Sequence, residues 1–109
     1  MAAPPDVRGM WTKSFRDPGK VSPPDARVLS SSCVRLTQGT SVGEHVTEGK
    51  EELLFVLEGE ATVLMGATAT TVAEGHAAYV GPETRHDVAN RGRAPLVYVY
   101  VTAKLAGQS

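Results

Sequence analysis

The sequence predicts an all-β fold, two sheets closing into a sandwich or barrel, on three observations. Short runs rich in β-branched and other apolar residues recur along the chain from residue 27 onward. Turn residues, nearly always including glycine, separate them at roughly 8–12-residue intervals. No window of about eleven residues or more keeps its apolar side chains at the 3.6-residue period of a helix.

The elements follow in order. The stretch 28–37 alternates before Gln38-Gly39, and 51–58 carries Leu53, Leu54, Phe55, Val56 and Leu57 before Gly59. Residues 61–65 end at Gly66, 69–73 at Glu74-Gly75, and 77–80 at Gly81-Pro82. Residues 86–89 precede Asn90-Arg91-Gly92, and 96–102 close the series. The organisation expected is an arm over 1–26, one domain over 27–103 and a short, fraying tail over 104–109. Five of the seven prolines lie in the first 24 residues, so the arm should be extended rather than regular. It nevertheless carries Trp11 and Phe15. These two aromatics either dock on the domain's own surface or pack across a subunit interface, where such residues are enriched.

Composition narrows the function classes. The 109 residues suffice for one domain with a continuous core. A net charge of −1 gives no reason to expect nucleic acid or an anionic membrane as partner. The N-terminus has no basic segment leading into an apolar one, and no stretch of roughly eighteen apolar residues occurs, so a cytoplasmic location is expected. The one cysteine, Cys33, rules out an internal disulfide framework and a thiolate-only metal site. Histidine-dependent chemistry is confined to His45, His76 and His86.

Parity places some of these. His45 and Thr47 are two apart and share a face on a strand. Glu52 follows a short Gly49-Lys50 turn, on a strand expected to fold back beside the first, and shares its face with Leu54 and Val56. His86 shares a face with Val88. Two imidazoles and a carboxylate converging in an apolar barrel make a first-row metal site with open coordination positions.

The spacing in two segments resembles the two motifs of the cupin superfamily, specifically its small single-domain, conserved-barrel members. The first motif, G-x5-H-x-H-x(3,4)-E-x6-G, falls on Gly39, His45, Thr47, Glu52 and Gly59. The second, G-x5-P-x-G-x2-H-x3-N, falls on Gly75, Gly81, Glu83, His86 and Asn90. Thr47 stands in the place of the usual second histidine, and Gly81 and Glu83 in the places of proline and glycine, with Pro82 beside them. The resemblance implies a double-stranded β-helix, or jelly-roll barrel, with a pocket between its sheets. It implies His45, Glu52 and His86 as ligands of a divalent transition metal (Fe, Mn, Ni, Zn or Co), with Thr47 a weak fourth ligand or a partner of a metal-bound water. It also implies a small-molecule substrate or ligand and a homodimer.

The function expected is a metal-binding cupin acting on a small organic molecule, by oxygenase, isomerase or cyclase, or lyase chemistry. A non-catalytic binding or sensor module, without metal, is the competing class, with the same three side chains as hydrogen-bonding groups for a polar ligand. The other singled-out residues have plainer expectations. His76 belongs at the surface, Glu83 and Arg85 at the rim of a turn, and Cys33 and Arg35 on an outward or interface face. Arg35 as a clamp for a substrate carboxylate is the alternative there. On the last strand either Tyr98 and Tyr100 or the alternating valines line the interior; the pattern serves both.

Overall fold

A computed structural model describes residues 14, 18–21 and 29–104. Trp11 and Phe15, and with them the question of where the arm docks, lie outside the described residues, as do positions 105–109 of the tail.

Nine strands form: β1 Gly19–Lys20, β2 Leu29–Leu36, β3 His45–Val46, β4 Lys50–Glu58, β5 Glu60–Met65, β6 Thr68–Ala73, β7 Ala77–Val80, β8 Arg85–Ala89 and β9 Leu96–Lys104. No helix occurs among the described residues, and so none is long and apolar enough to cross a membrane. The strands make a five-stranded sheet in the order β1-β2-β9-β4-β7 and a four-stranded sheet in the order β3-β8-β5-β6. Every pairing is antiparallel.

Seven of the strands are the runs expected from the sequence, with ends moved by a residue or two. The additional two, β1 and β3, are two residues long and exist only through pairing with β2 and β8. A segment that short has no periodicity to betray it.

The core lies between the sheets because the period of two is obeyed on each. On β4, Glu52, Leu54 and Val56 are buried while Leu53, Phe55 and Leu57 are exposed. Leu54 and Val56 meet Leu96 and Tyr98 from β9, Ala61 and Val63 from β5, Val72 from β6 and Val88 from β8. Tyr98 packs in this cluster with Tyr100 against it, while Val97 and Val99 belong to another, so on β9 the tyrosines point inward and the valines outward. A second, smaller cluster of Val21, Cys33, Val97 and Val99 lies on the outer face of the five-stranded sheet. Cys33 therefore faces away from the barrel as expected, but Val21 covers it and leaves it 3% exposed.

The motif glycine Gly59 joins β4 to β5 at φ +79°, and a Cβ there would run into the carbonyl oxygen of Pro95. Only glycine fits this turn without displacing the start of β9. The motif asparagine Asn90, 1% exposed, donates to the carbonyls of Leu36 and Ala94 (2.9 Å each) and accepts from the Gly92 N–H (3.0 Å). It ties the loop after β8 to the end of β2, and every polar group it buries is satisfied.

Candidate metal centre

His45 and His86 are brought together by the β3–β8 ladder, in which they are directly opposed. Their rings lie 4.2 Å apart between centroids, tilted by 59°. Glu52 arrives from the facing sheet, between β9 and β7. The sequence led us to expect β4 beside the strand of His45; instead the Glu48-Gly49 turn carries the chain from one sheet to the other. Glu52 thus reaches the histidines across the barrel rather than along a hairpin. Lys50, expected in the turn, already belongs to β4.

One ligand atom from each of His45, Glu52 and His86 lies within 4.8 Å of the other two. His86 and Glu52 are buried, and His45 is exposed. The two histidines are oriented in the same way. Nδ1 of His45 lies 2.9 Å from the Gly43 carbonyl, and Nδ1 of His86 lies 3.1 Å from the Thr84 carbonyl. A carbonyl can only accept, so Nδ1 carries the proton in both rings. In the neutral imidazoles Nε2 is then a bare lone pair.

For His86 this has an electrostatic consequence. Its Nε2 is fully buried, has no hydrogen-bond partner among the described residues, and lies 3.5 Å from Oε2 of Glu52. The two side chains are 0% and 6% exposed. A lone pair and a carboxylate held face to face out of water repel each other and lack solvation. A positive charge at that point, from a metal ion or from a second proton on His86, relieves both. The donor set of two imidazole nitrogens and one carboxylate fits a first-row transition metal, and the backbone carbonyls behind both Nδ1 atoms are the outer-shell partners that ligating histidines need.

Thr47 is brought to the same region but its hydroxyl is used elsewhere. It is 4% exposed, donates to the Gly81 carbonyl at 2.5 Å and accepts from the Thr84 N–H at 3.2 Å. The Thr47 N–H also donates to the Thr84 carbonyl (3.3 Å), and the Glu83 N–H donates to the Thr47 carbonyl (2.8 Å). Its proton and one lone pair are thus committed to the β7–β8 turn. That turn holds Glu83 at φ +55°, a left-handed conformation at the position where the motif has glycine. Its carboxylate accepts from the Gly49 N–H at 2.7 Å, which ties the two loops together a second time. Thr47 therefore fastens the loop bearing His45 to the turn whose Thr84 carbonyl orients His86.

A cavity of about 840 Å³ opens beside these residues. Val34, Val42 and Val88 give it apolar walls, Tyr98 and Tyr100 line it, and Ser30, Lys50 and Thr102 complete the lining from the strands that flank Glu52. The Tyr98 phenol is held above its usual pKa, first by burial and then by the nearby charge of Glu52, with smaller contributions from Tyr100 and Asp87. It stays a protonated, neutral donor beside the site. Sequence parity left this wall open between tyrosines and valines, and Lys50 and Thr102 had no motif to point to them.

The remaining candidates lie outside the cluster. His76 is exposed, with Nδ1 on the Glu74 carbonyl at 3.1 Å. Arg35 is exposed opposite Val97 on the outer face of the sheet and does not line the cavity. Arg85 pairs with Glu44 at 3.2 Å with both side chains more than half exposed, a rim contact of little energetic weight.

Comparison with known proteins agrees with the fold. The cupin domain family matches residues 32–102, and the chain belongs to that family. Among solved structures, the TT1209 protein of Thermus thermophilus superimposes with a TM-score of 0.72 at 27% identity, over 81% of this chain and 82% of that one. A predicted oxalate decarboxylase from Thermotoga maritima gives 0.63 at 25% identity, over 72% and 67%. A putative sugar phosphate isomerase from Acidithiobacillus ferrooxidans gives 0.64 at 22% identity, over 72% and 52%, a likeness of fold. A search of curated proteins finds no match.

Proposed function

We propose that this cupin binds a divalent transition metal through His45, Glu52 and His86 and acts on a small organic molecule held in the adjoining cavity. The observation that carries this reading is the buried, unpartnered Nε2 of His86 facing the carboxylate of Glu52. The metal, when bound, supplies Lewis acidity or a site for activating oxygen. The protein's own part is separate from that. The carbonyls of Gly43 and Thr84 aim the imidazoles, and the valine walls exclude water from one side of the cavity. The neutral hydroxyl of Tyr98 offers a hydrogen bond to a ligand oxygen. With Thr47 committed to the turn, three protein ligands remain, so more of the metal's coordination sphere is open than in the four-ligand family pattern. The names carried by similar structures, a predicted oxalate decarboxylase and a putative sugar phosphate isomerase, are compatible with small oxygenated substrates.

Metal analysis of untagged protein tests the reading. A near-stoichiometric transition metal, lost in Glu52→Ala and His86→Ala, is the expected result. Metal-free protein that takes up none of Fe, Mn, Ni or Zn on titration overturns it. One observation favours a second reading: a proton on His86 Nε2 would also satisfy the 3.5 Å contact with Glu52. The cavity would then serve a binding or sensor module without metal.

The proposed assembly is a homodimer. Leu53, Phe55 and Tyr79 are 43%, 39% and 55% exposed on the outer face of β4 and β7, with Leu53 directly opposite Tyr79. A second copy of the chain laid against this face would bury them. Sedimentation should report a dimer that Phe55→Glu dissociates; a monomeric wild type contradicts the assembly.

A further inference from the structure

The mouth of the cavity carries a feature that metal binding does not require. Lys50 opens β4 and lines the cavity; the residue directly across from it on β9 is Lys104, which does not itself line the cavity but shares the strand register. Opposed residues in an antiparallel pair project to the same face, with Cβ atoms about 5 Å apart. The next inward pair along the same ladder is Glu52 and Thr102, and Thr102 is in turn opposite Ser30 on β2. The two lysines therefore stand one step outward along the ladder from the carboxylate of the metal cluster, and the hydroxyls of Thr102 and Ser30 lie level with it.

Like charges placed directly opposite each other cost stability. Neither lysine forms an ion pair with a described residue. The ion pairs among the described residues are Arg85–Glu44 and His86–Glu52. The other carboxylates lining the cavity are Glu44, already paired with Arg85, and Glu48, which lies on the turn before β4. With Glu44 paired to Arg85 and a divalent cation offsetting Glu52, Glu48 is the carboxylate left on the lining against the two opposed lysines.

We propose that the molecule bound in this cavity is a small oxygenated anion, its carboxylate or phosphate group held by Lys50 and Lys104. Its other oxygens then lie toward His45, Glu52 and His86. This assignment of substrate class rests on the metal reading above. Ser30 and Thr102 add hydroxyl groups for the same head group or its neighbours. Lysine is suited to this role as a compact, mobile charge at a solvated rim. Filling the gap between the two ammonium groups also removes their mutual repulsion, so binding should raise the stability of the protein.

The test uses malonate and glycerol 3-phosphate as probes, with malonamide as the uncharged analogue, titrated calorimetrically into zinc-loaded protein. Wild type should bind at least one anion, and Lys50→Gln/Lys104→Gln should weaken it by roughly tenfold or more at unchanged zinc content. Malonamide binding should be indifferent to the lysines, and raising salt should erode the wild-type advantage. The anion that binds more tightly identifies the head group. Equal anion affinity in the wild type and the double variant, or no anion binding at all, overturns the proposal while leaving the metal reading intact. If zinc does not bind, the metal reading fails by itself. The amide resonances of residues 50 and 104 in the metal-free protein then decide the lysines' role. Malonate should shift them in the wild type, and their indifference to it overturns the proposal.

Discussion

Replacing Thr47 by valine tests how the site is held, because it keeps the shape of the side chain and removes only the hydroxyl. The change deletes a hydrogen bond to the Gly81 carbonyl and another from the Thr84 N–H. Each is worth about 1 kcal/mol net, more if the abandoned partner finds no water. Thr47 is buried, but Gly81 and Thr84 are only half-buried, so water can recover part of the loss. The expected destabilisation is about 2 kcal/mol, a fall in Tm of roughly 10 °C for a domain of this size. Stability is only half of the prediction. Thr84 also supplies the carbonyl that holds His86 Nδ1, and loosening such an outer-shell partner costs roughly 10–100-fold in metal affinity. Urea unfolding and competitive zinc titration read the two effects separately. Thr47→Ser, which restores the hydroxyl, should recover most of both. The reasoning is refuted if Thr47→Val keeps wild-type zinc affinity, or if Thr47→Ser is as defective as Thr47→Val.

Further outcomes follow from the same geometry. Thr47→His should tighten metal binding by restoring the family's ligand set, while the metal-free protein loses the stability of the turn; affinity no better than wild type places position 47 outside the reach of the metal. Gly59→Ala puts a Cβ against the Pro95 carbonyl at a left-handed φ and should cost about 2–4 kcal/mol in urea unfolding; a near-neutral change contradicts the turn geometry. Tyr98 has a folded pKa above the unfolded value of about 10, so its contribution to stability is present below that pH and lost as pH rises through and above it. Alkaline unfolding should therefore be shallower in Tyr98→Phe, and an unchanged slope argues against a buried, neutral phenol.

Much of this architecture can be read locally. The alternation Glu52, Leu54, Val56 fixed both the strand and the face on which the carboxylate lies, because a buried face leaves a period-two mark in the sequence. The resemblance of two segments to the cupin motifs pointed to His45, Glu52 and His86, the three side chains that converge. What escaped was whatever depends on distant pairing. β3 is two residues long and has no pattern apart from its ladder with β8. The crossing of β4 into the opposite sheet depends on which neighbours it finds, not on its own composition. The inward face of β9 was ambiguous because tyrosine and valine both suit a barrel wall. Thr47 illustrates the same limit at the site: its sequence position suggested a ligand slot, but the backbone groups that take its hydroxyl, 34 and 37 residues away, have no signature of their own. Lys50 and Lys104 become a pair only through a strand register 54 residues wide.

The central claim is that Nε2 of His45 and of His86 hold a metal ion together with Glu52, in place of a proton shared between His86 and Glu52. Long-range ¹H–¹⁵N spectra of the histidine side chains, recorded before and after adding one equivalent of zinc, test it most directly. The account predicts that both Nδ1 atoms stay protonated while both Nε2 resonances move to the metal-bound position, His76 being unaffected. An imidazolium signal from His86 that persists unchanged in the presence of zinc would contradict it.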